Sequence, residues 1–115
     1  MKGFRYAING LITAFTSELN LKIHAIATLL VLLAGWYFEI TAIEWVVVVL
    51  AIGLVISSEM INTAIEYFVD LVSPEIHPTA GKIKDISAGA VLMAALAAFI
   101  AGMIIFIPKI KALFE

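Results

Sequence analysis

The chain has 115 residues, 63% of them hydrophobic and 14% charged, with no cysteine and a mean hydropathy of +1.11, against about 45–50% apolar and about 25% charged residues in an ordinary soluble domain. So much apolar surface cannot all be buried inside so small a core, and lipid must cover the remainder, which predicts a membrane protein forming one domain over residues 1–115. A formal charge of −2 with no long basic run excludes a nucleic-acid partner, and the absence of thiols excludes a disulfide framework, a thiolate metal site and thiol redox chemistry.

At the front of the chain, Phe4, Ala7, Ile8, Leu11, Ile12, Phe15 and Leu19 recur at helical spacing, with Arg5, Asn9, Thr13 and Thr16 opposite. This predicts an amphipathic surface helix over about residues 3–19. Such a helix can serve simply as an anchor. It does not read as a signal peptide, because no compact apolar core and small-residue cleavage site follow the positive start.

A membrane helix needs about 20 mostly apolar residues, and three largely apolar runs qualify, at about residues 21–38, 43–70 and 86–107. The first ends on Trp36 and Tyr37, whose rings favour the headgroup layer. Four residues, 39–42, separate it from the second, so the two form an antiparallel hairpin. A polar loop over residues 71–85, with Ser73-Pro74 and His77-Pro78 as turn formers, leads to the third span, which Pro108 is expected to end. The predicted fold is therefore an all-α integral membrane protein with a surface helix and three spans. Lys2, Arg5, Lys22, Lys82 and Lys84 gather on one side, against Lys109 and Lys111 on the other. The positive-inside rule puts the N-terminus and the long loop in the cytoplasm.

The second span carries the chemistry. With Glu59 at zero on a helical wheel of about 100° per residue, Asn62, Thr63, Glu66 and Asp70 all fall within about 60° of it, and Ile61, Ala64, Ile65 and Phe68 take the opposite face. A helix from 42 to 71 measures about 45 Å, beyond the ~30 Å of hydrocarbon. Glu59 therefore lies near the lipid boundary, with Glu66 and Asp70 further out in the aqueous layer. A carboxylate at membrane depth is costly and is expected to be functional, although Glu59 could also snorkel or be protonated. At such a boundary it can take the proton from a lipid hydroxyl, while acids nearer water hold Mg²⁺ and the phosphates it neutralises. Glu18, where the surface helix meets the first span, is the natural second acid for Glu66, or else a solvated helix-end residue. Asp85 could N-cap the third span and Lys84 could be positive-inside bias. His24 and His77 stand isolated in sequence and read as interface or turn residues. Ala80-Gly81-Lys82 lacks the first glycine and the Ser/Thr of a P-loop, and the motifs of protein kinases, hydrolase elbows and paired-histidine metal sites are absent.

The run Glu59-Met-Ile-Asn62-Thr-Ala-Ile-Glu66-Tyr-Phe-Val-Asp70, then Glu75-Ile-His77-Pro and Ala80-Gly-Lys-Ile-Lys84-Asp85-Ile-Ser-Ala-Gly-Ala-Val, closely resembles the small prokaryotic diacylglycerol kinase family. Gly10-Leu-Ile-Thr-Ala-Phe15 and Glu18-Leu-Asn20 with His24 extend the resemblance over nearly the whole chain. Within the family it looks most like the undecaprenol kinases. The resemblance implies a homotrimer in the bacterial cytoplasmic membrane that transfers the ATP γ-phosphoryl group to a lipid alcohol at the cytoplasmic face. It implies Glu59 as general base and Glu18 and Glu66 as holders of the divalent metal. Asn62, Lys84 and Asp85 would serve the nucleotide and its phosphates, with Tyr6, Glu75 and His77 at nucleotide-contacting positions. The chain begins only a few residues before Tyr6, short of a basic stretch found in relatives. Diacylglycerol is the alternative substrate, since an apolar pocket accepts either tail. A small transporter or assembly subunit, with Glu59 binding a proton or cation, is the reading from a different class, but its acid belongs near mid-membrane, often beside broken helices.

Overall fold

Four helices account for nearly all of residues 2–115, the part of the chain that the computed structural model describes. They are α1 (Lys2–Ser17), α2 (Leu19–Tyr37), α3 (Ala42–Val72) and α4 (Pro78–Leu113), and no strand occurs among the described residues. Helices α2, α3 and α4 are each long and apolar enough to cross a membrane, where a helix satisfies its own backbone groups and needs no water to do so. A single residue, Glu18, separates α1 from α2, and α1 has no buried residue.

The turn between α2 and α3 is built from its ends inward. The Ile40 N–H donates to the Gly35 carbonyl at 3.2 Å and the Glu39 N–H to the Trp36 carbonyl at 3.3 Å, a Schellman closure that requires a left-handed residue at its centre. Glu39 fills that place at φ 49. Helix α3 then starts on a capping box. Thr41 Oγ1 accepts the Glu44 N–H at 3.2 Å, and Glu44 Oε1 accepts the Thr41 N–H at 2.9 Å, which satisfies two backbone donors that a helix start leaves unpaired. The two helices approach closely over Gly35, where a Cβ would lie 2.7 Å from the Trp45 ring.

Helix α4 overruns its predicted bounds at both ends. It begins at Pro78, with His77 as N-cap accepting the Thr79 N–H on Nδ1 at 3.1 Å. The polar loop expected over 71–85 shrinks to residues 73–77, and Asp85 lies inside the helix instead of capping it. The reason is that Lys82, Lys84 and Asp85 mark departure from lipid, not departure from helix, while a proline at the first helical position has its φ pre-set and no N–H to lose. At the far end Pro108 does not stop the helix, which continues to Leu113. Proline forfeits one backbone bond, a loss that transmembrane helices tolerate where neighbours re-satisfy the freed groups. The carbonyl that loses its donor is that of Ile104, and Lys109 Nζ donates to the next one, the Ile105 carbonyl, at 3.2 Å.

Helices α3 and α4 run antiparallel. Lys109 pairs with Glu44 at 2.8 Å at one end, and Lys84 pairs with Asp70 at the other. Of the two cations that argue against the predicted orientation, Lys109 is thus neutralised by the acid of the capping box. Ile40, Val48 and Ile105 form the buried apolar cluster at the Glu44 end, with Trp45 and Phe106 against it. Large apolar side chains elsewhere, such as Leu50, Leu92 and Ile104, face outward, a surface suited to acyl chains or to neighbouring subunits.

Candidate active site

The polar stripe of α3 faces inward, against α2. Glu59 is 4% exposed, and Asn62 and Thr63 are buried beside it. Glu66 is half-buried and Asp70 exposed, so accessibility rises along the stripe toward the α4 start. The opposite face is open, with Ile61 61% and Phe68 66% exposed. α3 continues unbroken through Glu59, without the interruption expected of a transporter site.

Helix α2 supplies the partners of Glu59. Asn20 Nδ2 donates to Glu59 Oε1 at 3.1 Å, and His24 Nε2 stands 3.5 Å from Glu59 Oε2. These residues are four apart and so share one face of α2. One turn further along α3, Asn62 Nδ2 donates to Glu66 Oε1 at 3.2 Å. Glu18 arrives from the α1–α2 junction, where its carboxylate Oε2 accepts the Tyr67 hydroxyl at 2.7 Å, and Tyr67 is the sequence neighbour of Glu66. Lys84 closes the row by donating to Asp70. This exposed pair is worth about 0–1 kcal/mol to stability.

The remaining predicted site residues are not drawn into this row. Tyr6 is 68% exposed on α1, and Glu75 lies exposed between α3 and α4. His77 is engaged as a helix cap, and Asp85 is exposed on α4. Among the described residues, the side chains of Tyr6, Glu75 and Asp85 make no hydrogen bond. No group of three or more metal-ligating acids, histidines or cysteines stands together among them either. Mg²⁺ is commonly held by one or two carboxylates, with phosphates and water completing its octahedron, so two acids suffice. The donor set fits a hard cation. Glu18 and Glu66 present carboxylate oxygens, and the neighbouring Asn62 Oδ1 is a buried acceptor with no donor among the described residues.

An apolar groove of about 550 Å³ runs between α2, α3 and α4, lined by Ala27, Val31, Ala51, Val55, Ala98 and Phe106, and His24 lines it too. His24 is the lining residue of α2 nearest the acids, so the groove reaches the polar row through His24, which stands 3.5 Å from Glu59. A polar head and a long hydrocarbon tail would each find a matching environment there.

Residues 5–106 match the family model for prokaryotic diacylglycerol kinase. The chain belongs to this family. It is 41% identical over 109 residues to the undecaprenol kinase of Bacillus subtilis, covering 95% of this chain and 89% of that one. A diacylglycerol kinase of Synechocystis is 40% identical over 111 residues, covering 96% of this chain but only 63% of the longer relative. The diacylglycerol kinase of Escherichia coli is 32% identical over 100 residues, 87% of this chain and 82% of that one.

In this family member, three side chains in contact with the acids escaped the sequence reading. Asn20, His24 and Tyr67 touch Glu59 or Glu18 across helices, at separations of 39, 35 and 49 residues. The i, i+4 spacing of Asn20 and His24 at the head of an apolar span was the available signal, because two polar groups on one face of a lipid-facing helix need a partner.

Proposed function

We propose that this lipid kinase phosphorylates undecaprenol at the cytoplasmic face of a bacterial cytoplasmic membrane, using ATP. Membership of the prokaryotic diacylglycerol kinase family makes the chain a lipid kinase with a nucleotide co-substrate. The observation that carries the reading to a site is the buried Glu59, oriented by Asn20 where the apolar groove meets the polar row. The preference for undecaprenol follows the 41% identity to an enzyme of that name. Diacylglycerol is the second reading, since relatives at 40% and 32% identity carry that name.

In this account the lipid tail lies along the groove and its hydroxyl comes to Glu59, which accepts the proton as the oxygen attacks the γ-phosphorus in line. Transfer is direct, with no phosphoenzyme. Phosphoryl transfer depends on positioning and charge neutralisation more than on covalent chemistry, and the residues divide accordingly. Glu18 and Glu66 would hold a divalent cation, Mg²⁺, which would neutralise phosphate charge. Asn62 and Lys84 lie one and a few turns along the row, where they serve the phosphates. Asp85, Tyr6, Glu75 and His77 serve the nucleotide. The catalytic end is the cytoplasmic one, since Lys2, Arg5, Lys22, Lys82 and Lys84 gather there while Lys109 is paired with Glu44. α1 lies in the headgroup layer as an amphipathic surface helix, and the chain is one domain that assembles as a homotrimer.

Incubating the purified protein with γ-labelled ATP and either undecaprenol or diacylglycerol tests the reading. Label should pass into extractable lipid with both, and faster with undecaprenol. Faster transfer to diacylglycerol would move the assignment to the second reading, and no transfer to either would remove it.

A further inference from the structure

The two oxygens of the Glu59 carboxylate have different surroundings. Oε1 accepts the Asn20 amide at 3.1 Å, whereas Oε2 faces His24 Nε2 at 3.5 Å and has no hydrogen-bond donor among the described residues. A carboxylate that has served as a base holds a proton that it must lose before the next turnover. The Glu59 side chain is almost enclosed at 5% exposed, whereas the His24 side chain beside it is 27% exposed. A neutral imidazole accepts a proton on one nitrogen and releases one from the other. Charged groups around His24 leave this path open. Glu59 on α3 is the one acid within ion-pair distance among the described residues, and α4 presents Ala95, Ala98 and Phe99 to the same groove. On α2 itself, Lys22 is exposed, and Glu18 at the helix start is engaged by Tyr67.

We propose that Asn20 pins Oε1 so that Oε2 is the basic atom, and that His24 carries onward the proton Oε2 takes from the lipid hydroxyl. The inference rests on the reading of Glu59 as the base. The lipid O–H bond breaks and its electron pair forms the new bond to the γ-phosphorus. The bond from that phosphorus to its bridging oxygen breaks, and its pair leaves with ADP. The proton passes from the hydroxyl to Oε2 and from Oε2 to Nε2, while Nδ1 releases a proton to water. Asn20 and His24 are positioning residues that act through Glu59.

The test compares wild type, His24→Ala, His24→Gln and Asn20→Ala in the label-transfer assay, with and without imidazole in the buffer. Wild type that transfers no label overturns the kinase reading and this inference together, whereas an active wild type isolates the inference. His24→Ala is expected to lose about tenfold to a hundredfold in kcat, within the range of a lost proton-transfer step, with the KM for ATP little changed, and added imidazole should restore much of the loss. His24→Gln keeps a polar amide but cannot carry the proton, so its kcat should stay low at an unchanged KM for ATP. Asn20→Ala should also lose kcat, with no response to imidazole. Wild-type turnover in His24→Gln, or a loss in His24→Ala that imidazole does not relieve, overturns the inference. If His24→Ala does not fold, His24→Gln decides alone by the same split between kcat and KM.

Discussion

A carboxylate on a membrane-spanning helix needs partners that offset its loss of water, and Glu59 and Glu44 find them differently. Glu44 is partly buried against Lys109 at 2.8 Å, with the Thr41 N–H on its other oxygen. Replacing Lys109 with Met leaves the Glu44 carboxylate short of its cation, and should destabilise the fold. A thermal melt in detergent checks this, and Glu44→Gln in the Lys109→Met background should recover part of the loss. Glu59 has an amide and an imidazole beside it, and no lysine pairs with it among the described residues. For the proposed metal acids, Glu18→Gln or Glu66→Gln should raise the Mg²⁺ concentration needed for half-maximal activity. A titration unchanged in both variants would refute that assignment. The acids were legible in the sequence because charge inside an apolar run is conspicuous. Their partners were not, because Asn20, His24 and Tyr67 are ordinary residues until helix packing brings them across.

At the scale of the element, helix interiors were legible from hydropathy and helix ends only in part. Thr41-Ala-Ile-Glu44 is a capping sequence, and it starts α3 as such a sequence should. At the start of α4, the charges at 82, 84 and 85 mark where lipid ends, and polarity alone does not say that a helix ends with it. Pro78 begins that helix and Pro108 fails to end it, because a proline stops a helix only where the lost bond and the ring clash outweigh the packing on either side. The α2–α3 turn holds a Glu at φ 49, a region that costs a non-glycine residue about 1–2 kcal/mol. Glu39→Gly should therefore raise stability by about 0.5–1 kcal/mol, less than the full strain because glycine loses more chain entropy on folding. The opposite effect is expected at Gly35, where a methyl would lie 2.7 Å from the Trp45 ring. Gly35→Ala should destabilise by about 1–3 kcal/mol through overpacking. Chemical unfolding in mixed micelles reads both variants.

For the whole molecule, the buried apolar cluster is small and sits at the end away from the acids, while at the acid end buried Leu21 and Val69 stand beside polar contacts between α2, α3 and α4. The exposed faces of these helices give the proposed trimer its contact surface, and light scattering in detergent should return three times the 12.5 kDa protomer mass. Membrane class and span number followed from composition, because 63% apolar residues in so short a chain leave no soluble alternative. The groove was not legible, since it forms only when small residues from α2, α3 and α4 come together. Phosphorylation by the proposed route needs Glu59 as the group that receives the lipid proton, and the measurement that tests this most directly is the turnover of Glu59→Gln in the label-transfer assay. A drop of about 10²–10⁴-fold, with helix content and oligomeric mass unchanged, is the predicted result; turnover near that of the wild type would contradict it.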